Sequence, residues 1–181
     1  MKPLIRLFFI FFTVMLKMTV LLNMVHAQNN NIDIAKISQV VLYYTNITME
    51  SRINAIDLSN YIKDIVTYYN EYLLSKNHNN EASAIIVFAI NPDRISRIWI
   101  VDNYSNSNNS ELISLFRTIN IPVVNNGPVA AAIYIGNINI LNLRLDNNGI
   151  YVPDEWLEII INNSNGQPMA IDAILNILFA Q

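Results

Sequence analysis

The chain has no cysteine, only four glycines and only two histidines. Each shortage removes a class of chemistry. Without cysteine there is neither a disulfide framework nor a thiolate metal site, so stability must come from packing. The scattered glycines build no phosphate-cradling loop. His26 lies in the N-terminal region and His78 in a polar loop, which makes a poor base for a Ser-His-Asp arrangement. Clustered metal ligands are also missing, so neither metal nor cofactor is expected. Charge is sparse: 14% of residues are charged against 52% hydrophobic, enough apolar material for one compact core.

The N-terminus carries the clearest targeting pattern. Lys2 and Arg6 precede the apolar run LFFIFFTVML, and Val25-His26-Ala27 places small residues where a signal peptidase reads. Residues 1–27 are expected to be a signal peptide cut after Ala27, or else an N-terminal anchor. Lys17 leaves segments shorter than the roughly 20 residues a membrane-spanning helix needs. Removing Lys2, Arg6 and Lys17 moves the formal charge from −3 to −6, a poor balance for nucleic acid. The expected location is periplasmic or secreted, with membrane contact only through an uncut N-terminal segment. Abundant asparagine fits an AT-rich, most simply bacterial, coding sequence, and explains the matches to glycosylation acceptors as chance.

Periodicity organises the rest. Residues 28–56 read as a polar leader, QNNNID, and a short helix in which Ile34, Ile37, Val40, Val41 and Tyr44 recur at helical spacing. The segment DLSNYIKDIVTYYNEYLLSK, 57–76, is the strongest helix, capped by Asp57 or Ser59 and striped by Leu58, Tyr61, Ile62, Ile65, Tyr69, Tyr72 and Leu73. The run IIVFAINPDRISRIWIV bends at Asn91-Pro92-Asp93-Arg94, the pattern of a β-hairpin. Its first strand is apolar on both faces, as in a central strand or a sheet covered on both sides. After a polar loop, Ser110 caps the helix SELISLFRTIN, and Asn126-Gly127-Pro128 delivers the strand VAAAIYIG. Residues 137–181 read as an extension packed on the same domain. It comprises a strand over 138–145, a turn at Asp146-Asn147-Asn148-Gly149, a helix beginning at Pro153 and an apolar helix from Pro168.

Over residues 57–136 this order resembles the C-terminal periplasmic domain of the TonB and TolA energy transducers. NYIKDIV is similar to that family's opening helix, IIVFAINPDRISRIWIVD to its hairpin, SNSNNSELISLFRTINIPVV to its loop, helix and I-P element, and VAAAIYI to its closing strand. The expected fold is therefore α+β, helices on a small antiparallel sheet in α-β-β-α-β order with a strand and helix extension. Three features depart from the family. Arg94 stands at the corner glycine, where a type I turn would tolerate a side chain; the long spacer is missing; and about forty residues follow the last strand.

The resemblance implies a non-catalytic envelope protein, allied to transport, that binds another envelope protein or a peptide segment by strand addition. Candidate partner-binding residues are Arg97 and Trp99 on the hairpin, and Val129, Ala131, Ile133 and Tyr134 on the last strand, whose small uncharged residues leave its border unguarded. Trp99 beside Arg97 has the composition of a binding hot spot, while burial under the C-terminal helices accounts for it equally well. Other signals have simpler explanations. Asp154, Glu155 and Glu158 would serve a secreted hydrolase, yet acidic residues in a helix's first turn already complement its dipole. The runs 102–108 and 146–149 lack the spacing of calcium loops. Tyr68, Tyr69 and Tyr72 lie at core spacing. A secreted effector or structural envelope protein, its extension filling the second sheet face, is the remaining alternative.

Overall fold

The computed structural model describes residues 34–78, 82–104, 110–141, 143, 150–165 and 167–181. The expected signal peptide, the leader to residue 33, the tip of the loop at 105–109 and the turn at 146–149 lie outside them. The described part is α+β. Strand β1 (Ile37–Leu42) precedes helices α1 (Asn46–Arg52) and α2 (Ala55–Ser75), then come β2 (Ala84–Ile90), β3 (Ser96–Asp102), α3 (Ser110–Phe116), β4 (Val129–Ile135), α4 (Asp154–Ser164) and α5 (Ile171–Phe179). The strands form one antiparallel sheet in the order β1-β4-β2-β3. Among the described residues no helix is long and apolar enough to cross a membrane.

Two placements correct the sequence reading. Residues 37–42 are a strand, not a helix, pairing Val40 with Ile133 and Val41 with Ala132 of β4. A helix this short is marginal in water, whereas Ile37, Val40 and Val41 are stiff β-branched residues that suit a pleated surface. A bulge leaves Ser38 unpaired, and its hydroxyl donates to the Tyr134 carbonyl at 3.1 Å. Consequently β4 is no border: it is bonded to β1 on one side and to β2 on the other, and every residue in it is buried. Ile138–Leu141, expected as a strand, forms a 3-10 turn.

Helix α2 begins two residues early because Asn54, rather than Asp57 or Ser59, caps it, Oδ1 accepting from the Ile56 amide at 2.8 Å. Its buried stripe is Leu58, Tyr61, Ile62, Ile65, Val66, Tyr69 and Leu73, and Tyr72 instead lies under the Lys76 ammonium. The helix ends where Asn77 takes a left-handed conformation and the His78 amide returns to the Leu73 carbonyl at 3.0 Å.

The sheet separates two apolar layers. On one face Tyr61 of α2 meets Phe88 edge-on at 5.3 Å. On the other, Ile85, Val87, Ala89, Ala130, Ala132 and Tyr134 join Tyr151, Trp156 and Ile159 with Ile174, Leu175 and Leu178 of α5. Strand β2, covered on both faces and paired on both sides, is fully buried.

The hairpin corner fits the type I expectation, with the Arg94 amide donating to the Asn91 carbonyl at 3.1 Å and no positive φ at Asp93, but it adds a left-handed residue that the sequence did not announce. Arg94 sits at φ 59, closing a three-residue connection whose left-handed position ordinarily falls to glycine. The amide of Ile95 is recovered by the Asn91 side chain at 2.8 Å. Gly136, at φ 60, has no alternative: a Cβ would stand 2.0 Å from the Ala82 carbonyl oxygen.

Three substitutions check this architecture by denaturant unfolding. Gly136→Ala is expected to cost at least about 2 kcal/mol. Ala131→Pro, which removes a donor from an inner strand, is expected to abolish the cooperative transition. Arg94→Gly is expected to stabilise by about 0.5 kcal/mol, because it relieves the left-handed side chain.

Candidate functional site

Covering both faces and closing β4 leaves the outer sides of β1 and β3, of which β1 is interrupted by the bulge at Ser38. The direction of the β3 backbone groups follows from the β2–β3 ladder. Asn91 donates to the Ile95 carbonyl at one end and Asn103 to the Ser83 carbonyl at the other, both at 3.0 Å. Pairs alternate in an antiparallel ladder, so Arg97, Trp99 and Val101 turn their N–H and C=O toward β2. Ser96, Ile98 and Ile100 turn theirs outward, where no described residue meets them. Every residue of β3 is half-exposed, and the adjoining Ile95 is 49% exposed.

The faces flanking this border are anchored differently. On the α2 side the Tyr61 hydroxyl and Ser96 Oγ are 2.7 Å apart, and the Tyr69 hydroxyl donates to Asp102 Oδ2 at 3.1 Å. Burial, followed by the adjacent Asp102 carboxylate, pushes the Tyr69 hydroxyl above its ordinary range. On the other side, the first turn of α4 places Glu155 over the strand. Its Oε1 accepts from Arg97 at 3.0 Å and its Oε2 from the Trp99 indole at 2.8 Å. Trp99 stands edge-on to the fully buried Trp156 at 5.5 Å, and Tyr43 packs on Trp156 from the β1 side at 5.0 Å. The Trp156 N–H finds no acceptor among the described residues.

The six expected partner-binding residues therefore divide. Arg97 and Trp99 share the border strand. Val129, Ala131, Ile133 and Tyr134 lie two strands away in β4, fully enclosed, with the Tyr134 hydroxyl accepting from the Tyr151 amide at 2.9 Å. Their apolar surfaces serve packing between the layers, not an open edge. Of the acidic trio, Glu155 is engaged with Arg97 and Trp99, and no group of three or more metal-type ligands occurs among the described residues. His78 stacks on Tyr104 at 4.1 Å.

One polar cluster was not foreseen. Arg52 at the end of α1 makes a bidentate pair with Asp172 of α5, at 2.6 and 2.7 Å, and also donates to the Pro128 carbonyl at 2.7 Å. The Tyr44 hydroxyl donates to Asp172 Oδ1 at 2.8 Å, while the guanidinium lies 4.8 Å above the Tyr44 ring. Gly127, at φ 115, gives the guanidinium room, since a Cβ there would come within 3.1 Å of it. The signal in the sequence was a solitary aspartate in an otherwise apolar helix. This cluster ties the ends of the described chain to the turn before β4.

The Arg52 hydrogen bonds hold the Asp172 carboxyl below its usual range, against a smaller opposing effect of burial. A folded-state pKa lowered in this way adds stability above the unfolded carboxylate pKa and loses it as pH falls through the folded value. The stability difference between the wild type and Asp172→Asn is therefore expected to be greatest above about pH 4 and to shrink on acidification, as read by urea unfolding across pH. A difference that stays constant with pH would show that the carboxylate contributes nothing through its charge.

No family model, no curated protein and no solved structure matches this chain.

Proposed function

We propose that this chain is an exported, non-catalytic protein-binding domain of the bacterial envelope that takes an extended partner segment as a fifth strand along β3. The observation that carries the reading is the row of outward backbone groups on Ser96, Ile98 and Ile100, at a border every residue of which is half-exposed. Backbone pairing would supply affinity, and alternate side chains would supply choice. Ile98 and Ile100 offer apolar contact on the α2 face, and Trp99 with Arg97 on the other. The opposite border is a poorer receptor, because the bulge at Ser38 interrupts β1.

The resemblance to the TonB and TolA domains implies the same mode of binding, and the N-terminal pattern implies the compartment. The departures count as well. With the second sheet face filled by α4 and α5, the reading is of binding without energy coupling.

Ile98→Pro separates binding from folding. It deletes an outward amide while the inward amides of Arg97, Trp99 and Val101 remain, and proline is tolerated at such edge positions. The variant is expected to keep its circular dichroism and to lose partner capture from envelope extract by about tenfold or more. Undiminished capture by a folded Ile98→Pro chain would reject β3 as the receptor.

A further inference from the structure

Strand β3 reads SRIWIVD, and each of its polar side chains already has a partner inside the chain. Ser96 Oγ lies 2.7 Å from the Tyr61 hydroxyl, and Arg97 and the Trp99 indole donate to Glu155 at 3.0 and 2.8 Å. Asp102 accepts from the Tyr69 hydroxyl at 3.1 Å with one carboxylate oxygen and from the Tyr104 amide at 3.0 Å with the other. Asp93 and Arg94 stand side by side at the corner, outside the strand. What the border leaves over is the outward backbone of Ser96, Ile98 and Ile100, together with the half-exposed apolar surface of Ile98, Ile100, Val101 and the Trp99 ring.

We infer that the segment taken up by β3 is uncharged, an extended run of β-branched and aliphatic residues recognised by backbone pairing and apolar contact. This inference rests on the reading of β3 as a strand-accepting edge and names the chemistry of what it accepts. Overall charge points elsewhere: the chain beyond residue 27 carries −6, after loss of Lys2, Arg6 and Lys17 from a total of −3, and Asp154 and Glu158 of α4 are exposed. Taken alone, that balance would draw a basic partner. The bonding at the border decides otherwise. The one cation of the strand is balanced by Glu155, so an incoming acidic residue meets no unpaired cation on β3. Both oxygens of its one carboxylate are bonded, so an incoming basic residue gains little from Asp102. Opposite Ile98 and Ile100, a charged side chain meets aliphatic surface, where β-branched neighbours pair better.

Three synthetic peptides with identical soluble tails test the inference. One carries a core of alternating valine and threonine, and the others replace threonine with lysine or with glutamate. Titrated into the full chain in mild detergent and followed by calorimetry, the neutral core is expected to bind tighter than either charged core by about fivefold or more. Its affinity should change by less than about twofold between low and high salt, because there is no charge attraction to screen. Glu155→Gln, which leaves the Arg97 charge unbalanced, is expected to raise the affinity of the glutamate core severalfold.

A lysine core that binds tightest and weakens with salt overturns the inference. Equal binding of all three cores, or a glutamate core indifferent to Glu155→Gln, overturns it as well. Where Ile98→Pro still abolishes binding in those cases, the strand-accepting edge stands without its preference for a neutral segment. Binding of the neutral core that a folded Ile98→Pro chain retains, or no binding by any core, contradicts the reading of β3 itself.

Discussion

The structure depends on an antiparallel sheet whose two inner strands are apolar on both faces. β2 carries no polar side chain, and the only polar side-chain group on β4 is the Tyr134 hydroxyl, which is bonded to the Tyr151 amide, so neither face can be left to water. Two helical layers follow of necessity. The tyrosine-bearing α2 covers one face, and α4 and α5 cover the other, with Trp156 at the centre of the second layer. The same constraint closes β4, because an all-apolar strand left on a border would invite indiscriminate pairing. β1 performs that closure. Of the two border strands, only β3 combines polar and apolar residues with uniform half-exposure and a ladder without a bulge.

The polar contacts are concentrated where the layers must be held in place. Arg52 and Asp172 fasten α1 to α5 across the turn before β4, and Glu155 fastens α4 to the border strand through Arg97 and Trp99. The second tie bears on function. Long side chains on an edge strand lose conformational freedom when a partner docks, and Glu155 has already immobilised both of them, which reduces the ordering cost of association. The Trp99 ring is likewise held against Trp156.

Local pattern made the helices at 55–75 and 154–164 and the hairpin legible, because each carries apolar residues at its own period and the hairpin has a recognisable corner, while the true cap of the first helix, Asn54, lay outside the expected span. The both-faced apolarity of β2 also conveyed that the sheet is central and covered. What the pattern could not convey was long-range pairing. Ile37, Val40 and Val41 stand at the helical spacing i, i+3, i+4, and only pairing with β4 overrides it. Misplacing β1 moved the open border to β4, so four of the six expected contact residues fell in the core. The Arg52–Asp172 tie was illegible for the same reason: its members stand 120 residues apart. Asp172 alone, a charge on an apolar helix, hinted that a partner existed.

Amide hydrogen exchange along β3 tests the central claim most directly. In dilute solution the account predicts alternation: protected amides at Arg97, Trp99 and Val101, which face β2, and rapidly exchanging amides at Ser96, Ile98 and Ile100, which face outward. A bound segment should slow the second set without altering the first. Uniform protection of all six at every dilution would show that the border is already occupied by the chain itself and would contradict the account.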